Sequence, residues 1–456
     1  MGSTIILARL LRPEDYGMVG MVTAITSFIG LYKDFGLSMA TVQREKITHE
    51  EVSMLFWVNI FLSIGLALVV AISAPLIAIF YGDNRLTTIT LLFSLGFILS
   101  GVSIQHQAII KRQMRFRTLA GIEILSMAVG VAATVAAAMG GLGYWSLVVL
   151  PLVTASVGSL SSFVACPWLP GFPKRVEGSK SLIQFGGNLT LFNTLNYFAR
   201  NADNILIGRF WGAGPLGYYT RAYNILLVPL WQINAPLTQV AIPGLSRLQS
   251  DPNKFKNYFL RATGVVSYLT VPLVTILAVL SDEIVLVLLG EQWEEVGALF
   301  RILSVTAIIQ PIMNITGWVF ITLGRTDRMV KLAYITLPLC MLAFVIGLPW
   351  GPRGVACSYS VYNLIIFYPL LRVTFKDTLI RPVEVLERCW RPLALSLLML
   401  PAILITKGAL QNQPAFLRGS ASAAIGLAAF GIAAVLWPAV QRDYHEIKSL
   451  FKVARQ

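Results

Sequence analysis

Thirteen apolar runs, each about the length a helix needs to cross a bilayer, constrain this chain more than any other feature in it. They lie near 17–36, 54–80, 87–110, 118–139, 144–168, 182–209, 216–246, 258–281, 296–323, 329–350, 354–374, 389–407 and 418–438. Hydrocarbon about 30 Å thick takes about 20 residues at about 1.5 Å each. It offers the backbone no water to bond, so such runs fold as helices that satisfy their own amides. Ahead of them, Thr4 to Leu11 reads as the tail of one more helix, too short to reach half way across. Charged residues are 13% of the chain and mean hydropathy is +0.71, against roughly 25% charge in an ordinary soluble domain. The expected class is an all-α integral membrane protein.

Lysine and arginine fix the orientation, because cytoplasmic loops carry the positive excess. Alternate connections are basic, through Arg44 and Lys46, Lys111 to Arg117, Lys174 to Lys180, Arg247 to Arg261, Arg325 to Lys331, Arg372 to Arg381, and Arg442 onward. The intervening connections hold few cations, and one is acidic through Asp282, Glu283, Glu291, Glu294 and Glu295. This alternation places the C-terminus in the cytoplasm.

The net charge of +14 is spread over short loops instead of one basic domain, which argues against a nucleic-acid partner. Cys166, Cys340, Cys357 and Cys389 stand in or beside different spans without paired spacing, so neither a zinc site nor a disulfide framework is indicated. No metal or cofactor is expected. Gly-rich phosphate loops, HExxH and clustered DxxD are not found, and no connection exceeds about twenty residues, which leaves no room for a soluble catalytic domain. Trp145, Trp293 and Trp318, near span ends, read as interfacial anchors.

An internal repeat organises the spans. LARLLRPEDYGMVGMVTAI (7–25) lines up with LIGRFWGAGPLGYYTRAYNI (206–225), pairing Leu7 with Leu206 or, ungapped, Arg9 with Arg209 and Gly17 with Gly217. Further along, IFYGD (79–83) resembles LLGE (288–291), KRQMR (111–115) resembles GRTDRM (324–329), and GYWSL (143–147) resembles GVACS (354–358). The offset stays near 200 to 211 and spans six helices, an even number, so the halves share one orientation about an axis along the membrane normal. The expected layout is two six-helix lobes with pseudo-twofold symmetry plus two C-terminal helices. The first lobe covers 1–170, its first helix incomplete; a cytoplasmic linker covers 171–181, the second lobe 182–375, the two extra helices 376–438 and a cytoplasmic tail 439–456. Parallel repeats of this kind are a transporter architecture, with the substrate path between the halves.

Polar residues inside the spans point to that path. Thr190, Asn193, Asn196, Arg200 and Asp203 fall on one helix face at spacings of three or four, with Asn204 beside them. A charge at the bilayer centre costs at least about 2.5 kcal/mol, so such groups turn to a wet cavity or a bundle interior. Arg200 and Asp203 either line the cavity or form a structural ion pair. The next helix carries Arg221, Asn224, Gln232, Asn234 and Gln239 among Pro229, Pro236 and Pro243, kinking residues seven apart. Gln310 and Asn314 flank Pro311 one turn apart, and Gln107 reads as the repeat counterpart of Asn314. The substrate candidates are therefore Asn193, Asn196, Arg200, Asp203, Asn204, Arg221, Asn224, Gln310, Asn314 and Gln107, and the hinge candidates Pro229, Pro236, Pro243 and Pro311.

LARLLRPEDYGMVGMVTAITSFIGLYKDFGLSMATVQREKITHEEVSMLFWVN resembles the Wzx-type polysaccharide exporters of the multidrug, oligosaccharidyl-lipid, polysaccharide (MOP) superfamily, and most of all the colanic-acid type. The resemblance continues through NADNILIGRFWGAGPLGYYTRAYNILLVPL, IPGLSRLQSDPNKF, GEQW and TGWVFITLGRTDRM to GLPWGPRGVACSYSVY, and covers most of the chain up to about residue 375. RPEDYG, DNILIGR and GRTDRM are its specific parts. It implies a fourteen-helix, MATE- and MurJ-like bundle in the bacterial inner membrane, a flippase and not an enzyme. Such a carrier moves undecaprenyl-diphosphate-linked oligosaccharide repeat units outward by alternating access, for surface lipopolysaccharide or exopolysaccharide. Members of the family start with a complete first helix, whereas this chain begins part-way through it.

That resemblance gives the polar residues expected roles. Arg200 and Arg221 meet the diphosphate, while Asn193, Asn196, Asn224, Gln310 and Asn314 meet sugar hydroxyls. Asp203 pairs with Arg200 or with a coupling proton or sodium ion. Membrane lipids and the polysaccharide polymerase or export machinery are the expected partners. The rival readings are a MATE-like multidrug exporter, which would want carboxylates and aromatics for cationic drugs, and a non-transporting membrane scaffold of the glycan assembly machinery.

Overall fold

The computed structural model describes residues 2–34, 37–43, 47–172, 197 and 201–444. It is 87% helical, with no strand among the described residues. In order, the helices are α1 (Gly2–Leu10), α2 (Pro13–Gly30), α3 (Leu37–Gln43), α4 (His49–Tyr81), α5 (Arg85–Gly101), α6 (Ile104–Arg112), α7 (Phe116–Met139) and α8 (Trp145–Ala165). Residues 201–211 form α9. There follow α10 (Ala213–Arg247), α11 (Pro252–Val279), α12 (Ser281–Leu288), α13 (Glu294–Thr322), α14 (Thr326–Gly347), α15 (Gly351–Thr374), α16 (Pro382–Ala409) and α17 (Ala415–Leu436).

Ten helical stretches among these residues are long and apolar enough to cross a membrane, and the chain is a multi-pass all-α membrane protein. α2 is not among the ten, because Glu14 and Asp15 fill its first turn. The runs expected at 329–350 and 354–374 form one stretch, Asp327–Thr374, broken only by the turn Leu348–Trp350 and by Gly351 at φ 70°. Most of the run expected at 182–209 lies outside the described residues.

Local chemistry sets the helix ends. Thr48 starts α4 with a reciprocal cap: its hydroxyl accepts from the Glu51 N–H at 3.2 Å, and the Glu51 carboxylate accepts from the Thr48 N–H at 2.8 Å. Gly82 ends the same helix in the left-handed region at φ 75°, its N–H bonded to the Ala78 carbonyl. Asp251 caps α11 through the Lys254 N–H, with Pro252 at the first helical position. Hydroxyls inside the spans bond back one turn, as Ser126 does to Ile122, Thr263 to Phe259 and Thr270 to Val266. These hydroxyls are satisfied within their own helices without water.

By its internal contacts the chain divides into two units, Met1–Gly217 and Tyr218–Gln456. The division falls within α10, whose first turn lies against α2. In the first unit, α7 buries Ile122, Ser126, Gly130, Thr134 and Ala138, every fourth residue, and Gly130 sits under Thr154 and Leu150 of α8. Small residues at that spacing let two helix backbones approach closely, which drives association where lipid cancels the hydrophobic effect. In the second unit, Phe255, Phe259, Ile312, Trp318, Val319 and Leu371 form a core with Ala241 and Leu245 of α10.

The repeat is visible residue by residue. Met114 and Gly324 both take left-handed backbone, at φ 57° and 66°, just before Arg115 and Arg325 open α7 and α14. Arg115 donates to the Ala165 carbonyl at the end of α8, and Arg325 to the Lys376 carbonyl beyond α15. Nearer the start, the ungapped frame holds: Leu7 and Ile207, Ala8 and Gly208, and Tyr16 and Leu216 are buried, while Arg9 and Arg209 are exposed. The Arg115 and Arg325 register, 210 residues apart, sets Gln107 opposite Gly317 and Asn314 opposite Ile104, so Gln107 is not the counterpart of Asn314. Trp293 and Trp318, expected as interfacial anchors, are core residues at 0% and 4% exposure. The Trp318 indole N–H finds its acceptor inside, on the Thr238 hydroxyl at 3.2 Å.

Charges gather at the helix ends. Glu283, 2% exposed, lies 3.0 Å from both Lys407 and Arg418 and ties α12 to α16 and α17. Asp443, 3% exposed, takes Arg388 at 2.8 Å, Arg391 at 2.7 Å and the Tyr268 hydroxyl at 2.9 Å. Arg328 pairs with Asp377 and Lys256 with Glu384.

Removing Glu283 would leave two partly buried cations facing no carboxylate. Glu283→Ala is therefore expected to cost about 3 kcal/mol or more, read as a lowered thermal midpoint of the purified protein in detergent micelles. Because a Cβ on Gly324 would touch nothing, Gly324→Ala should cost about 1 kcal/mol from backbone strain alone. Met114→Gly should shift the midpoint the opposite way.

Candidate functional site

α10 combines two properties that do not belong together in lipid. Its exposed residues include Asn224, Trp231, Gln232, Pro236, Gln239 and Pro243, on one broad face of a helix that qualifies as a span. α4 shows what a lipid-facing surface looks like here: Phe61, Leu68, Ile72, Leu76 and Ile79 are 57–73% exposed and wholly apolar. Exposed amides in hydrocarbon would have no partner, so this face of α10 is ill suited to lipid. Proline deepens its polarity. Pro236 and Pro243 carry no N–H, so the carbonyls of Gln232 and Gln239 lack their usual helix donor and remain able to accept.

The remaining sequence candidates fall on both units. Arg221, half-buried, stands one turn before Asn224 on α10. On α13, Gln310 is half-buried with its Oε1 making no hydrogen bond, Pro311 is buried, and Asn314 is exposed. In the first unit, Asp203 is 3% exposed and its Oδ1 accepts from the Asn204 N–H at 2.8 Å. Gln107 is exposed, and its amide donates to the Ser162 hydroxyl of α8 at 3.3 Å. Pro229 is half-buried. Asn193, Asn196 and Arg200 lie outside the described residues.

Sequence reading passed over Thr23 and Ser27, one turn apart and exposed on α2. Hydroxyls in a span carry little weight because they bond their own helix, as Thr23 does to the Val19 carbonyl. It also passed over Lys33, a half-buried cation just beyond the end of α2. The signal was a lysine inside the apolar run 17–36.

Electrostatics separates this face from the cavity described in the second unit. A cavity of about 720 Å³ in the second unit is lined by Asp282, Glu291, Glu294, Glu295, Arg301 and Arg353. Its two guanidiniums are already paired, Arg301 with Asp282 and Arg353 with Glu295, so the cavity is net acidic and ill suited to an anion. Asp83, between α4 and α5, is held below the usual carboxylate range chiefly by hydrogen bonds from Arg85, which also reaches Glu14 at 2.7 Å. Among the described residues no group of His, Cys, Asp and Glu is placed to hold a metal.

A bundle of apolar helices around a proline-interrupted polar helix is an architecture shared with solved membrane proteins. The chain superposes on lipid II flippase MurJ in an inward closed conformation with a TM-score of 0.76, over 95% of each chain at 13% identity. An inward-facing multidrug resistance MATE family transporter of the MOP superfamily gives 0.64, over 86% of this chain and 93% of that one at 16% identity. The chain belongs to the polysaccharide biosynthesis protein family, whose sequence profile matches residues 6–298. It is 30% identical over 305 residues to teichuronic acid biosynthesis protein TuaB of Bacillus subtilis (strain 168), covering 66% of this chain and 63% of that one. The match thus spans less than two thirds of TuaB. Lipopolysaccharide biosynthesis protein WzxC of Escherichia coli (strain K12) is 26% identical over 407 residues, covering 86% and 80%.

If the α10 face meets water, single cysteines there should react with a water-soluble maleimide in lipid nanodiscs. In a cysteine-free background, Asn224→Cys and Gln232→Cys are expected to label readily and Ile72→Cys and Leu76→Cys, on α4, hardly at all. Equal labelling at all four would remove the distinction.

Proposed function

We propose that this chain is a flippase that moves undecaprenyl-diphosphate-linked oligosaccharide repeat units across the bacterial inner membrane by alternating access, with its C-terminus in the cytoplasm. The observation that carries the reading is the exposed polar face of α10, within a fold like those of MurJ and MATE transporters and in a family of polysaccharide biosynthesis proteins. WzxC and TuaB are named for lipopolysaccharide and teichuronic acid biosynthesis, which supports a glycan cargo. The working layout is the lobes 1–170 and 182–375 with the extra helices of 376–438.

The chemistry follows from the cargo. A diphosphate carrying sugars cannot enter hydrocarbon, so a carrier must replace its water with cations and hydrogen-bonding groups while the lipid tail stays in the bilayer. Arg221 and Arg200 are assigned to the diphosphate. Asn224, Gln232, Gln239, Gln310 and Asn314, with the prolines' free carbonyls, are assigned to hydroxyls. Asp203 is buried and accepts from its neighbour's N–H, which leaves the face without an accessible carboxylate for a cationic drug.

The test is complementation of a bacterium lacking its own exporter, scoring surface polymer and the lipid-linked precursor retained inside. Arg221→Ala is expected to lower export about tenfold or more, with unchanged membrane expression, and Arg221→Lys to keep part of it. Full export by both Arg221→Ala and Arg200→Ala would overturn the assignment.

A further inference from the structure

The α14–α15 hairpin of the second unit shows most of its apolar surface to the outside. In the most apolar window of Asp327–Thr374, 11% of residues are buried, against 56% in α11 and 61% in α13. The exposed side chains form one stripe on each helix, Ile335, Leu339 and Leu342 on α14 and Val361, Ile365 and Tyr368 on α15, each 37–68% exposed. One turn further, each stripe meets a cation: Lys331 precedes Ile335 and Arg372 follows Tyr368, and both are exposed. The helices are antiparallel neighbours, tied by the Tyr362 hydroxyl donating to the Thr336 carbonyl at 2.8 Å, so the two cations share one end of the hairpin.

Charge at that end is not balanced. Arg325, Arg328, Lys331, Arg372 and Lys376 stand with two carboxylates, Asp327 and Asp377. Arg328 pairs with Asp377 at 2.9 Å, and Arg325 donates to the Lys376 and Asp377 carbonyls. Lys331 and Arg372 enter no ion pair among the described residues. Arg372 lies over the Tyr368 ring, 4.8 Å from its centroid, which holds the guanidinium on the exposed stripe. Other basic residues of this unit have counter-charges, Lys254 in Asp251 and Lys256 in Glu384. A ligand complementary to this end needs an anionic group at the level of the cations and a hydrocarbon tail along the stripe. Free phosphate lacks the tail, and an acidic peptide would leave its backbone unpaired in lipid.

We infer that the Lys331 and Arg372 end of the hairpin is a headgroup site for an anionic phospholipid, its phosphate held by the two cations and its acyl chains lying along α14 and α15. The site belongs to the second unit alone and does not depend on the cargo proposed above.

The test titrates the purified protein in detergent with dioleoylphosphatidylglycerol or dioleoylphosphatidylcholine and counts retained lipids by native mass spectrometry. The parent is expected to hold phosphatidylglycerol about twentyfold tighter than phosphatidylcholine, at about fivefold per cation. Lys331→Gln with Arg372→Gln should abolish the preference, and Lys331→Arg with Arg372→Lys should keep most of it. Lys111→Gln with Lys254→Gln removes the same charge elsewhere and should leave it intact. Should the double glutamine variant fail to fold, the single variants carry the test, each expected to lose about fivefold. An equal loss in the Lys111 and Lys254 control reduces the effect to diffuse attraction and overturns the site. Absence of any preference in the parent overturns it too, as does displacement of phosphatidylglycerol by equimolar undecaprenyl diphosphate, which would give the site to the cargo. The readout scores no export, so its failure and that of the flippase reading are separate results.

Discussion

The need of every peptide group for a hydrogen-bond partner in a medium without water is the constraint on which this structure depends. It makes the chain helical, and it makes serine and threonine bond back along their own helices. Helix ends, where carbonyls and amides run out of internal partners, are where the constraint bites hardest. There the chain places Thr48 with Glu51, Gly82 and Asp251, and sends Arg115 and Arg325 to carbonyls at the ends of neighbouring helices. Two of the basic loops thus also terminate its helices.

Much of this was legible in the sequence, for identifiable reasons. Caps are local, so the threonine and glutamate of THEE and the aspartate and proline of DPNK announce helix starts without knowledge of the fold. The KRQMR and GRTDRM turns repeat because each half solves the same joint, down to a left-handed residue that is methionine once and glycine once. Burial was less legible. In a soluble helix, apolar residues mark the inner face; here the lipid face is as apolar as the core, and periodicity loses its contrast. Trp293 and Trp318 were misread for that reason, since an indole near a span end fits an interface or a core equally well. The Gln107 pairing failed because a three-residue slip moves a residue nearly one turn along the helix while leaving it on about the same face.

The candidate face shows the complementary limit. That Asn224, Gln232 and Gln239 are polar was plain; that they are accessible required the structure. Thr23 and Ser27 escaped notice because their hydroxyls look self-satisfied in any helix. The net charge of +14 also changes meaning once pairs are seen. Arg301, Arg353, Lys407 and Arg418 are matched with carboxylates, so the overall charge is a poor guide to where an anion would settle.

The Asp443 cluster carries a consequence for synthesis. Arg388 and Arg391 enter α16 more than fifty residues before the carboxylate that joins them is made. At about 5 to 20 residues per second, two guanidiniums and the Tyr268 hydroxyl wait several seconds without it on the ribosome. Through that interval apolar packing and the Lys256–Glu384 ion pair hold α11 to α16, and the arrangement of Arg388, Arg391 and Tyr268 is completed by one of the last acidic residues to be translated.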